Sequence, residues 1–546
     1  MRKEALIIAA LACCVFAREP APSPSDYTLD LSKYGFIDTS LNKIQFPKGN
    51  KSFEPFFKKL DTLVFENRGQ VRILHIGGSH IQADAMSGRI REHLVKEYPG
   101  ASAGRGFVFP FSAAKTNTPS SYGSTYKGIW DMSKNVLHEV KKPLGLLGIA
   151  VSTSDPRAEF SILLNRYNPQ PIWSETKIRL FGYSDNGDVI PVLHVDSLEI
   201  PGKLDSATQS FTFPIPHPID SIHISFRWLD SLQQAEIARF ITDSLRQDSI
   251  ARAAALADSL AKDSLARKDS SKKPAAAPAA IPDNVALPLD SMYQDSSVID
   301  TALDEPPPFE PEPMAQQDTS SKESKPGRPR FTLTGIYTES DAPGIMYTNV
   351  GINGAKVPNY FEATCPLFEK ELAFLKPDLV IFAIGINDAN VDRFDDKGFR
   401  ANYDTLITRI HKVSPNTAII FETNNDSFRM TKRKRYVQHP NGEVARKSFF
   451  ILADKYKAGI WDKFSIMGGL GSMAKWEKAS LAKKDKVHFK LAGYNLLGDL
   501  FYKAIIQAYQ DHIANLPALE PEAPKPAPKK PDSTKVPPKD KNKTKN

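Results

Sequence analysis

Cysteine is almost absent: three residues in 546, at Cys13, Cys14 and Cys365. Three thiols cannot build a disulfide framework, so an apolar core must hold the fold. The eleven histidines are scattered, with no His-x3-His, and no Cys-x-x-Cys occurs. No metal centre is therefore expected. No phosphate-loop signature occurs either, which removes nucleotide chemistry of that kind. Long apolar runs are also missing: Ala5–Ala17 falls far short of the roughly 20 residues that span a bilayer. The formal net charge of +8 is less informative than it looks. Asn515–Asn546 alone holds eight Lys against four acids. Half of the basic excess thus sits on a Pro/Lys-rich tail, and no nucleic-acid partner is expected.

What is present is ordinary for a globular chain: 41% apolar and 25% charged residues. The length suggests more than one domain. Arg2 and Lys3 precede the apolar run Ala5–Ala17, and the Pro-rich stretch Arg18–Ser25 cannot continue a helix. Residues 1–17 therefore read as a signal peptide with cleavage before Arg18, and the protein as exported, periplasmic or at the cell surface. Leu11-Ala12 before Cys13 and Cys14 is a degenerate lipoprotein box. Membrane attachment is expected only if Cys13 or Cys14 is lipidated. After cleavage Cys365 remains, and its place before Pro366 near a helix start suggests a buried small residue.

Composition divides the rest. From Asp230 the motif Asp-Ser-Leu/Ile recurs, and the chain then becomes Pro/Ala-rich and acidic. With few large apolar residues for a core, 232–328 reads as a low-complexity insertion, and 515–546 as a disordered tail. Apolar strand patterns at Val71–Ile76 and Leu379–Ile384, with shorter ones at Ala418–Phe421 and Gly459–Trp461, alternate with helical patterns. The helices are expected at Ile81–Tyr98, Tyr360–Leu375, Phe399–Val413, Glu443–Tyr456 and Lys490–Tyr509. That order predicts an α/β domain with a parallel sheet. Short alternating patterns at Ile178/Leu180, Val189/Val192, Phe211/Phe213, Ile222–Trp228 and Phe331/Leu333 predict an antiparallel sandwich inserted within it.

Four stretches could carry chemistry. Ser79 follows a strand and two glycines and opens a helix, where free backbone N–H groups and the helix dipole face its hydroxyl. That environment suits a nucleophile, though an N-cap serine is the commoner use. In Asp485-Lys-Val-His488 a carboxylate three residues before an imidazole can orient it, although most such pairs are surface residues. Gly351-Ile-Asn-Gly354-Ala355 and Gly385-Ile-Asn387-Asp388 each follow a strand end, where ligands of open α/β sheets bind. Each alone reads equally well as a turn.

Together GGSHIQAD, GINGA, GINDA and DKVH resemble the SGNH/GDSL hydrolase family, block by block and in order. The resemblance covers 54–107 and 345–514, with 108–231 and 329–344 as the inserted, carbohydrate-binding-like sandwich. It implies a flavodoxin-like α/β/α fold and no cofactor. It further implies Ser79 as nucleophile, His488 as base and Asp485 as its orienting partner. The implied oxyanion hole is the N–H of Ser79, the N–H of Gly354 and the side chain of Asn387. Where the family has Gly-Asp-Ser, this chain has Gly77-Gly78-Ser79. The inserted sandwich is similar to that of exported bacterial esterases acting on cell-wall or other polysaccharides, peptidoglycan O-acetylesterases above all. The expected substrate is therefore an acylated glycan. An O-acyltransferase using the same site and a glycan-binding surface protein with a degenerate hydrolase domain are the alternatives. His80 and Asp84, four apart on the first helix, could pair, and no role is assigned to them.

Overall fold

The protein's computed structural model describes residues 31–166, 172–185, 187–229, 329–431 and 435–516. The expected signal peptide with Cys13 and Cys14, the low-complexity insertion and residues 517–546 lie outside the described residues. Six strands form one sheet, in spatial order Ile44–Gln45, Gly459–Trp461, Ala418–Glu422, Leu379–Ala383, Gln70–Gly77 and Gly344–Gly351. Five run parallel, and the edge strand Ile44–Gln45 is antiparallel.

These strands are continuous apolar runs because both faces are covered. Alternation then sorts their side chains. Leu74, Ile76, Val380, Phe382, Ile419 and Phe421 enter one core. Val71, Ile73, Leu379, Ile381, Ala418 and Ile420 enter the other. Helices Phe368–Leu375, Asp396–Val413 and Asn441–Tyr456 supply the first core. Helices Glu54–Glu66, Ala85–Lys96 and Leu491–Ala514 supply the second. The result is a three-layer α/β/α domain.

Two expected helices differ. The one expected at Ile81–Tyr98 is a single turn, Ser79–Gln82, followed by Ala85–Lys96. The break falls at Asp84, which is left-handed at φ +52°. The one expected from Tyr360 begins only at Phe368. Pro366 disfavours helical geometry at Cys365, so the apolar period runs on where the helix cannot. Cys365 is buried, and burial pushes its thiol up to about 12.

Between the parallel neighbours Gln70–Gly77 and Gly344–Gly351 the chain builds two antiparallel sheets. The five-stranded one centres on Ser221–Trp228 and the seven-stranded one on Phe331–Glu339. They meet face to face, with the Phe226 and Phe331 rings 5.0 Å apart. The sandwich also packs on helix Phe368–Leu375 of the α/β domain, where Phe374 lies 5.6 Å from Phe181 and 5.0 Å from Tyr337. One apolar core therefore runs through both parts.

Candidate active site

Strand Gln70–Gly77 is followed by Gly78, and Ser79 is the first residue of the short helix that follows. Its N–H therefore has no intrahelical acceptor. The neighbouring strand comes very close: a Cβ on Gly351 would lie 2.5 Å from Gln82 N and 2.7 Å from Gly78 O. Only glycine allows that approach, which sets the Ile352–Ala355 loop beside Ser79.

The Asp485–His488 segment arrives from the other end of the chain. Ser79 Oγ lies 2.9 Å from His488 Nε2, and His488 Nδ1 lies 2.8 Å from Asp485 Oδ2. An ionised carboxylate can only accept, so Nδ1 carries the proton and Nε2 accepts from the serine hydroxyl. Asp485 Oδ1 also accepts from the backbone N–H groups of Val487, at 2.9 Å, and His488, at 3.0 Å. Burial pushes the Asp485 carboxyl up, but the His488 ring and these N–H groups outweigh it and hold it at about 2. The loop is clamped from the sheet side by Asn425, whose Nδ2 donates to Val487 O at 3.0 Å. A hydroxyl in this chain of hydrogen bonds can lose its proton as it attacks an acyl carbon.

The remaining expected residues line the same rim. Gly354 is exposed at φ +81° with open space beside it. Its loop is held by Gln82, whose Oε1 accepts from Asn353 N–H at 2.7 Å. Asn387 opens inward from the short helix Ile386–Ala389, and its Nδ2 donates to Ala355 O at 3.1 Å. An amide nitrogen carries two hydrogens, so one more can be donated. Asp388 accepts from Val357 N–H at 3.2 Å, and burial pushes its carboxyl up to about 7. The structure thus brings Ser79, His488, Asp485, Gly354 and Asn387 to one end of the parallel sheet. Gly78, where the family pattern has Asp, adopts φ −102°, and a Cβ there would meet Asn387 Nδ2 at 3.3 Å.

Sequence reasoning missed the support beneath the triad. His80 does not pair with Asp84. Its Nδ1 lies 2.9 Å from Tyr494 Oη, and its ring lies 5.1 Å from that of His488. Burial and then the neighbouring His488 hold His80 well below the usual histidine range. Asp84 instead meets Arg91 Nη2 at 2.9 Å and Arg105 Nη2 at 2.7 Å. The insert also reaches the nucleophile turn, since Ser120 N–H donates to Ala83 O at 3.2 Å. His80 stands in GGSHIQAD, but nothing local points to Tyr494.

Residues 333–496 match the GDSL-like lipase/acylhydrolase family. That span contains Gly354, Asn387, Asp485 and His488, while Ser79 lies upstream of the insert. A solved peptidoglycan O-acetylesterase matches at 16% identity over 85% of this chain and 98% of its own, with a TM-score of 0.56. It shares the fold. An acetyl xylan esterase matches at 18% identity over 30% of this chain and 80% of its own, with a TM-score of 0.23. A GDSL-like lipase from Bacteroides thetaiotaomicron matches at 16% identity over 31% and 76%, with a TM-score of 0.22. No curated protein matches. Residues 333–496 thus form a GDSL-like lipase/acylhydrolase domain, and the chain shares the fold of a peptidoglycan O-acetylesterase.

Proposed function

We propose that the protein is an exported serine esterase that removes O-acyl groups, O-acetyl above all, from a cell-wall or other polysaccharide. The observation that carries the reaction is the unbroken chain Ser79–His488–Asp485 beside Gly354 and Asn387. His488 Nε2 takes the Ser79 proton as Oγ bonds to the acyl carbon. The carbonyl oxygen becomes an oxyanion facing the N–H groups of Ser79 and Gly354 and Asn387 Nδ2. His488 then passes the proton to the departing sugar oxygen as the ester bond breaks. A water molecule, deprotonated by His488, attacks acyl-Ser79 and frees the acid and the serine. The peptidoglycan O-acetylesterase likeness supports an acetylated glycan as substrate, and the basic-then-apolar N-terminus supports export.

The test compares wild type with Ser79→Ala and His488→Ala on p-nitrophenyl acetate and on O-acetylated peptidoglycan, with acetate release as readout. Each single variant should lose nearly all activity, and the double variant should be little worse, because triad members act as a unit. Losses that add across the two would refute the assignment. Turnover of the aryl ester without acetate release from any glycan would refute the substrate.

A further inference from the structure

We propose that the loop carrying His488 is a cationic rim that favours esters on negatively charged chains, so that the preferred substrate is an acylated glycan bearing carboxylates. This rests on the glycan-ester reading above.

From Lys483 to Lys490 the loop sets four lysines against one aspartate. Its turn is tight, which keeps the lysines close to the imidazole. Lys483 N–H donates to His488 O at 2.8 Å, and Lys486 N–H donates to Lys483 O at 3.1 Å. Ala482 and Phe489 pair across the turn, and Lys490 follows directly. The one acid is already used by the triad. Asp485 Oδ2 meets His488 Nδ1, and its Oδ1 accepts from the N–H groups of Val487 and His488. Among the described residues, no carboxylate forms an ion pair with Lys483, Lys484, Lys486 or Lys490.

At Lys486 the charge is held without being cancelled. Its Nζ lies 5.1 Å from the centre of the Phe428 ring and 5.9 Å from that of Tyr436. Both rings belong to the hairpin formed by Phe428–Met430 and Tyr436–Gln438. Phe428 N–H docks that hairpin on the loop by donating to Lys486 O at 3.1 Å. A ring face fixes an ammonium but leaves its full charge, whereas a carboxylate would neutralise it. Arg429, on the same hairpin, is neutralised by Asp392. Of these two cations, the one two residues from His488 is left unmatched.

Coulomb attraction sets the size of the effect. One ammonium about 8 Å from a negative group, acting through water, favours it roughly twofold. Several ammoniums around one imidazole multiply that preference. An uncharged ester takes no part in it. A chain with carboxylates on the sugars beside the acylated one does, as it approaches and as it binds.

The test uses two esters with the same acyl group and ring and opposite charge, 4-acetoxybenzenesulfonate and (4-acetoxyphenyl)trimethylammonium. The readout is the ratio of their kcat/KM values, anion over cation. In wild type the ratio should fall at least about fivefold from about 10 mM to about 1 M salt, as the screening length drops from about 30 Å to about 3 Å. The pair Lys483→Gln/Lys484→Gln should lower the low-salt ratio at least about fourfold. Neither side chain has a partner and the Lys483 tie to His488 is through the backbone, so folding should survive. A distorted site would slow both esters alike and leave the ratio where it was. In Ser79→Ala protein, where no turnover occurs, the same pair should weaken polygalacturonate binding about fourfold or more in low-salt titration calorimetry. A ratio indifferent to salt, a ratio that the pair leaves unchanged, no polygalacturonate binding, or an affinity untouched by the pair would each overturn the rim. Polygalacturonate binding that the pair weakens, with neither ester turned over, would leave the rim standing and remove the ester reading.

Discussion

Replacing Asp485 by Asn tests the site twice, once through stability and once through rate. The carboxyl sits at about 2 in the folded protein, because its hydrogen bonds outweigh burial. An aspartate in an unfolded chain titrates near 3.9, so folding lowers it by roughly two units, each worth about 1.4 kcal/mol. The ionised group therefore contributes about 2–3 kcal/mol to folding. At 24% exposure, solvent screening takes little of this away. The folded pKa is the lower one, so the contribution is present above the unfolded value. It is lost as pH falls through the folded one. Asn keeps the shape and removes the charge. At pH 7 the variant should melt about 4–8 °C lower, and the gap to wild type should close progressively between about pH 5 and pH 2. The rate effect has a separate cause. An Asn amide can donate to His488 Nδ1, which leaves the proton on Nε2, the nitrogen that must accept from Ser79. A tautomer error of this kind costs about 10⁴ in kcat, or roughly 5–6 kcal/mol of barrier. Steady-state kinetics on p-nitrophenyl acetate and melts across pH read the two effects. A kcat within tenfold of wild type would show that Asp485 does not set the His488 tautomer. A stability gap that does not change with pH would show that its charge is not held by these bonds.

Asn387→Ala should lower kcat by about 10²–10³ with a smaller change in KM, since the lost donor acts on charge that develops in the transition state; an unchanged kcat would leave Asn387 only its bond to Ala355. Gly78→Asp should hold or raise kcat, because φ is −102° and the new Cβ meets the far end of Asn387 at 3.3 Å and otherwise only ordinary contacts; a loss beyond about tenfold at unchanged melting temperature would place Gly78 in the substrate pocket. Deleting 232–328 and joining the flanks with a short Gly/Ser linker should leave a folded, active enzyme, because Phe226 and Phe331 already touch across the sandwich and loop closure varies slowly with length; failure to fold, by circular dichroism, would mean that the segment packs.

Legibility in the sequence followed the range of the interaction. Leu379–Ala383 and Gln70–Gly77 were readable because a strand buried on both faces is a continuous apolar run. Ile44–Gln45 was not, since two residues carry no period. Strand Gly123–Lys127 also escaped, its outer half being exposed. The kink at Asp84 was hidden because Ile81 and Ala85, four apart, keep a helical spacing across it. The site was harder. Ser79 and His488 are 409 residues apart, and His80 and Tyr494 are 414 apart. No local pattern joins such pairs. The first was found through the order of four blocks, and the second had no block to announce it.

The kink also explains how an insertion of this size leaves the nucleophile in place. Asp84 is wholly buried, and burial alone would protonate it; Arg91 and Arg105 hold it at about 2 instead. The Ser87 and Ser121 hydroxyls also donate to its carboxylate. A buried ion cluster is weak evidence for stability, since apolar residues can often replace it, whereas removing one partner costs about 3–5 kcal/mol. Its consequence here is geometric. Asp84 ends the nucleophile turn, Arg91 belongs to the next helix, and Arg105 and Ser121 stand where the chain enters the sandwich. Arg91 also donates to Tyr347 O at 2.9 Å and to Asn349 Oδ1 at 3.0 Å on the strand by which the chain returns. That strand leads directly into Gly354. The departure and the return of the chain are therefore fastened to one charged centre beneath Ser79. A displacement of the sandwich would break buried charge pairs before it could separate the serine from the loop that carries Gly354. The sandwich is thus part of the frame that sets the site, not a module hung from it.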